Sequence, residues 1–240
     1  MFKTGPFVGL RGVATAIVAA ALMFHGQPGH ASPSHAVFAF TGGSNNTVLQ
    51  INGATNIPAT TRGWYQSTGN ANGASATNNY IVGLCGNDSC NESDNLYHNW
   101  FVFTLPVGVT ITSAVLLLDV PAGNGYISQS PAEIYTVYDV TTAIGSLGTS
   151  SQPTYTDLGS GTVYGSRNYT AADKGTTTTV TLNAAAITYL NAHLGGQVAF
   201  GGAISTPDTS IPVLDNWLLL AAVAIVLMIL GGVALNYRSR

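Results

Sequence analysis

Nineteen consecutive residues, Trp217 to Leu235, carry no charge, and this run constrains the chain more than any other. A helix of that length rises about 1.5 Å per residue and covers roughly 28 Å, close to the hydrocarbon thickness of a bilayer. A buried core helix is the alternative, but such a helix rarely stays apolar on every face for five turns. Asp215 precedes the run, while Arg238 and Arg240 follow it closely. Basic flanks stay in the cytoplasm, so Arg238 and Arg240 set a topology in which everything before Ile211 lies outside. A membrane is therefore the first expected partner, through a single C-terminal span.

The other end carries an export signal. Lys3 and Arg11 precede an apolar run from Val13 to Phe24, and small residues follow. A basic n-region, a short h-region and a small-residue cleavage site define a secretory leader. Two cleavage positions compete, after Ala31 (Gly29-His30-Ala31) and after Ala36 (Ser34-His35-Ala36). The second is favoured because Val37-Phe38-Ala39-Phe40 starts to read as a strand directly after it, so the expected layout is a signal peptide over 1–36, an ectodomain over 37–209 and a C-terminal signal over 210–240.

Charged residues make up 7% of the chain, against about 25% in ordinary soluble domains. Between the terminal segments Arg62, Arg167 and Lys174 face nine acidic residues, a balance of −6. That sign disfavours nucleic acid and anionic membrane surfaces as partners. Thr, Ser, Asn and Gly are left to solvate the surface.

The middle of the chain reads as strands. Thr47–Ile51, Tyr80–Val82, Trp100–Leu105, Thr110–Val120, Ile134–Val140, Thr177–Leu182 and Val198–Ile204 are rich in β-branched and aromatic residues and bounded by Gly, Pro and Asn. Their spacing predicts an all-β, jelly-roll-like sandwich. One helix is expected, capped by Asn183 over Ala184–Leu194, with Ile187, Leu190 and Leu194 on one face and Gly195-Gly196 at its end.

The richest polar stretch is Cys85 to Asn95. Two cysteines separated by four residues in an exported chain favour a Cys85–Cys90 disulfide over a zinc half-site, because no second Cys/His pair completes a tetrahedral set. Asp88, Glu92 and Asp94 offer hard oxygen ligands suited to Ca²⁺, without the spacing of an EF-hand; a solvated polar hairpin is the plainer reading. No catalytic residue and no cofactor is expected, since neither a nucleophile elbow nor a metal-ligand set occurs. His98 and His193 are far apart in sequence, and His35 falls at the cleavage region. Glu133, Asp139 and Asp157 are the carboxylates that a glycosidase pair could draw on. Tyr126, Tyr135, Tyr138, Tyr155 and Tyr164 could form a sugar-stacking face or pack the core.

Ile211-Pro212-Val213-Leu214-Asp215-Asn216-Trp217, followed by the apolar helix and a short Arg-containing tail, resembles the IPTL-CTERM sorting signal, a relative of the PEP-CTERM signals handled by exosortases in Gram-negative bacteria. Ile211, Pro212, Leu214 and Trp217 match; Val213 replaces the usual Thr, and Leu218 a frequent Gly. A second resemblance runs through Asn79-Tyr80-Ile81-Val82-Gly83, Tyr97 to Phe103, Ile111 to Ala114, Leu158 to Gly165, Leu182 to Ala186 and Phe200 to Ala203. In that order they look like the all-β ectodomain of PEP-CTERM-type surface proteins. These resemblances imply an exported envelope protein, held in the inner membrane before an exosortase-like enzyme passes it to the cell surface or medium. The expected role is structural or interactive, with no enzymatic activity; a surface-displayed carbohydrate-binding module, with polysaccharide as partner, is the alternative.

Overall fold

The computed structural model describes residues 34–39, 46–86 and 95–204. Within them the chain is all-β, with eleven strands in two antiparallel sheets and two short helices.

The smaller sheet has β2 (Thr47–Ile51), β3 (Thr55–Pro58), β7 (Ala114–Asp119) and β10 (Thr177–Thr181) in the order β10-β7-β2-β3. Side chains alternate with a period of two along a strand. Leu49, Ile51, Leu116, Leu118 and Val180 accordingly point into the core, while Thr177, Thr179 and Thr181 face solvent. The β2–β3 turn uses Asn52 and Gly53, both at positive φ (53° and 71°), the conformation that an Asn-Gly pair adopts most readily. The Asn52 carboxamide then receives the Thr112 N–H at 2.8 Å and donates to the Thr110 carbonyl at 2.8 Å, tying the hairpin to the entry of β7.

The larger sheet runs β1 (His35–Val37), β5 (Val82–Cys85), β6 (Asn95–Thr104), β11 (Gln197–Ile204), β8 (Glu133–Asp139) and β9 (Val163–Tyr169), with β4 (Thr61–Gln66) also paired to β6. Strand β6 is its spine and is covered on both faces. Phe101 and Phe103 enter the main core with Phe200, Tyr135 and Val137, whereas Trp100 and Val102 form a second cluster on the outer face with Tyr65, Leu147, Leu158 and Ala199. Three strand pairs are nested: β8 with β9, β7 with β10, and β6 with β11.

The expected helix forms as α2 (Ala184–Ala192), with Asn183 accepting from the Ala186 N–H; Ala186 and Leu190 are buried, and Ile187 and Leu194 pack against the core. A second helix, α1 (Gln152–Leu158), was not expected. Its sequence QPTYTDL has weak helix propensity, but Ser151 caps it, Pro153 stands in its first turn, and Leu158 fills the outer cluster beside Trp100. Docking on β6 and β11 stabilises it. Strands β3, β4 and β9 were not anticipated either: Thr61–Gln66 and Val163–Tyr169 contain Gly, Arg and Asn, and become strands because β6 and β8 offer them hydrogen-bonding edges.

At the centre of the core Phe38 stands at φ 58°. Its ring lies 5.0 to 5.4 Å from Tyr169, Tyr80 and Tyr135, edge-on to two of them. The Tyr135 hydroxyl donates to the Asn99 carboxamide at 3.0 Å, and Asn99 in turn donates to the Tyr80 carbonyl at 2.9 Å.

Candidate functional site

Among the described residues, a cluster of chemically capable side chains lies where β1, β8 and residues 125–130 meet. Strand β1 is hydrogen-bonded on both sides. On one side it pairs with β5 in the register His35↔Leu84, Ala36↔Gly83 and Val37↔Val82. On the other, Gln129 N–H donates to the Ser34 carbonyl at 3.2 Å, Ile127 N–H to Ala36 at 3.0 Å, and Phe38 N–H to Gly125 at 2.8 Å. The fit depends on Gly83, at φ 97°, where an added Cβ would stand 2.1 Å from the His35 carbonyl oxygen. Only glycine accepts both conditions.

His35 Nδ1 lies 2.9 Å from Glu133 Oε1, and both residues are buried. The Ser128 hydroxyl donates to the same carboxylate oxygen, the Ser130 hydroxyl is 3.3 Å from His35 Nδ1, and Ser130 N–H donates to Ser128 Oγ at 2.9 Å. Serine, histidine and glutamate are the inventory of a hydrolytic triad, but their arrangement here differs from one. A triad needs the carboxylate on Nδ1 and the nucleophile on Nε2. Both hydroxyls instead approach the Nδ1 side, and the Ser128 proton goes to the carboxylate. The cluster is suited to fixing β1 against β8, not to proton relay. A position read as cleavage region thus supplies a buried partner to Glu133; the available signal was the strand-like run starting at Val37, whereas the strand found is His35–Val37, beginning two residues earlier and ending where Phe38 turns at positive φ.

The polar loop begins at the same end of the domain. Gly86 N–H donates to Ser34 Oγ at 3.0 Å, and Cys85, at the end of β5, is buried and disulfide-bonded. Cys90 and the calcium candidates Asp88, Glu92 and Asp94 lie outside the described residues. Among the described residues no group of three or more His, Cys, Asp or Glu is placed to hold a metal ion.

The remaining candidates serve separate local purposes. Asp139 accepts from Thr162 N–H at 2.6 Å, and Asp157 from Thr142 N–H at 2.8 Å and the Thr141 hydroxyl at 2.6 Å. Burial by itself would raise the Asp157 carboxyl, but the hydrogen bonds from Thr141 and Thr142 outweigh it and hold the group below its ordinary value. Tyr126, Tyr135 and Tyr164 are core residues, and burial pushes the Tyr164 phenol up to about 12; Tyr138 and Tyr155 are half-buried. His98 stacks on Tyr155 at 4.0 Å and 5°, its Nδ1–H donating to the Tyr155 carbonyl at 2.7 Å. Burial holds His98 below its usual value, and the hydrogen bond to Tyr155 offsets this only in part. His193 bonds the Tyr189 carbonyl at the end of α2, remote in role from His98.

The sorting residues Ile211, Pro212, Leu214 and Trp217, the apolar run to Leu235, and the topology residues Arg238 and Arg240 lie outside the described residues. Among those described, no helix is long and apolar enough to cross a membrane. Compared with protein-family models, curated proteins and solved structures, this chain finds no match.

Proposed function

We propose that this chain is an exported envelope protein of a Gram-negative bacterium, with a structural or interaction role, whose β domain is carried out by its leader and held by its C-terminal signal. The observation that carries the reading is the three-part order of the sequence: basic leader, charge-poor β domain, and Ile211–Trp217 motif ahead of an apolar run with an Arg tail. The disulfide-bonded Cys85 fits an oxidising compartment. The carboxylates Glu133, Asp139 and Asp157 each receive protein hydrogen bonds, which suits a rigid scaffold better than a hydrolase. The nesting of β8–β9 inside β7–β10 inside β6–β11, alternating between sheets, supports the jelly-roll-like assignment: one long hairpin rolled into two layers.

In the proposed sequence of events the Trp217–Leu235 helix is a temporary hold in the inner membrane, and an exosortase-like enzyme then cuts near Ile211–Trp217. Mass analysis of the protein from envelope and medium of its native host tests this. Loss of the helix there, with retention in a host lacking the enzyme, supports sorting. A C-terminal peptide ending at Arg240 on the mature native protein refutes sorting and leaves an ordinary anchor. Retention on a polysaccharide array without turnover would favour the binding-module alternative, and turnover would overturn the non-enzymatic reading.

A further inference from the structure

We propose that the leader is severed between Ala31 and Ser32, so that the mature protein begins at Ser32 and keeps β1 whole; this rests on the export reading above. Gly29-His30-Ala31 and Ser34-His35-Ala36 both place small residues at the third and first positions before a cut, and the leader pattern alone does not separate them. What separates them is the fate of residues 34–36. Ser34, His35 and Ala36 are 0%, 5% and 0% exposed; His35 and Ala36 open strand β1, and the 34–37 segment is hydrogen-bonded on both sides.

A cut after Ala36 would remove the acceptors of three backbone N–H groups, those of Gly86, Ile127 and Gln129. It would also take His35 from the buried Glu133 carboxylate, and it would place a new α-ammonium on Val37, which is fully buried. Buried donors and charges left without partners are among the costliest defects a fold can carry. Gly83, whose missing side chain is the space β1 occupies, would face a gap. A cut after Ala31 avoids each of these, because the charged terminus then lies ahead of Ser34, which is fully buried. In the step itself a leader peptidase adds water across the Ala31–Ser32 amide. The Ala31 carbonyl becomes a carboxylate, and Ser32 leaves as the new α-ammonium terminus.

The test is N-terminal sequencing and intact mass of the full-length gene product expressed in a Gram-negative host, alongside Ala31→Leu, which changes the residue just before the proposed cut and none of residues 34–204. The expected result is a wild-type chain beginning at Ser32 and complete loss of that form in Ala31→Leu, which accumulates uncut. A mature chain beginning at Val37, or processing unchanged by Ala31→Leu, overturns the proposal while leaving export standing. A wild-type chain still beginning at Met1 and exported also overturns it. The same chain found in the cytoplasm instead refutes the export reading on which the proposal rests.

Discussion

Replacing Phe38 tests how the core is anchored. Its ring is fully buried among Tyr80, Tyr135 and Tyr169, with centroids 5.0 to 5.4 Å away. Phe→Ala in a packed core costs about 3–5 kcal/mol, and edge-on ring pairs each contribute about 0.5–1.5 kcal/mol beyond area, so Phe38→Ala is expected near the upper end of that range. For a domain of this size the loss corresponds to a fall in Tm on the order of 10 °C. The backbone adds a second, sharper expectation. At φ 58° an L-residue pays roughly 1–2 kcal/mol that glycine does not, so Phe38→Gly should be as stable as Phe38→Ala or about 1 kcal/mol more stable. That reverses the usual strand order, in which glycine is the worse residue by about 0.5–1 kcal/mol. Equilibrium urea unfolding of the β domain, followed by fluorescence of buried Trp100, measures both. A loss below about 1.5 kcal/mol for Phe38→Ala would refute the anchoring role, by comparison with ordinary core truncations. A Phe38→Gly variant clearly less stable than Phe38→Ala would refute the strained backbone.

Three further outcomes are expected. Glu133→Gln removes the charge-assisted bond to His35 and should cost about 1.5–3 kcal/mol, with faster hydrogen exchange confined first to the Ile127 and Gln129 amides that pair with β1; unchanged exchange there would count against the role of the His35–Glu133 cluster in fixing β1 to β8. Arg62 is 2% exposed, donates to the Asn78 carbonyl at 2.8 Å and the Thr47 hydroxyl at 3.0 Å, and lies 4.9 Å over the Tyr80 ring. Lysine cannot reproduce that planar fork, so Arg62→Lys should lose roughly 1.5–3 kcal/mol in urea unfolding, the range for a lost hydrogen bond from a charged group. The pH dependence follows from His98, whose folded value burial holds below the usual one. As pH falls below about 6.5 the unfolded chain takes up the proton first, so stability present at pH 7 is lost progressively toward the lower folded value. Asp157, held low, stays ionised in that window. His98→Phe, which keeps a ring on Tyr155, should flatten the slope between pH 7 and 5, and a slope unchanged in that variant would exclude His98 as its source.

Much of the β domain was legible from local pattern because half-buried strands alternate. Thr47–Ile51 was expected with the boundaries found, Thr177–Thr181 and Gln197–Ile204 within a residue, and α2 with its Asn183 cap. Elements lacking that signature escaped. Strands β4 and β9 carry polar residues and Gly, and α1 has poor helix formers; all three exist because neighbouring strands and the Trp100–Leu158 cluster accept them.

By itself the amino-acid order determined the class, because alternation along half-buried strands makes the described residues all-β; the export and membrane addresses proposed above rest on its two terminal segments. Tertiary structure decided which residues act together, because burial and partnership join positions remote in sequence. His35 and Glu133 are 98 residues apart, and nothing local to either announces the other. The five tyrosines, ambiguous between platform and core, were likewise divided only by packing, which buries Tyr126, Tyr135 and Tyr164 and leaves Tyr138 and Tyr155 half-covered. His35 and Ala36, which read as the end of a leader, became part of strand β1 only when β5 and the 125–129 segment were there to bond both of its edges.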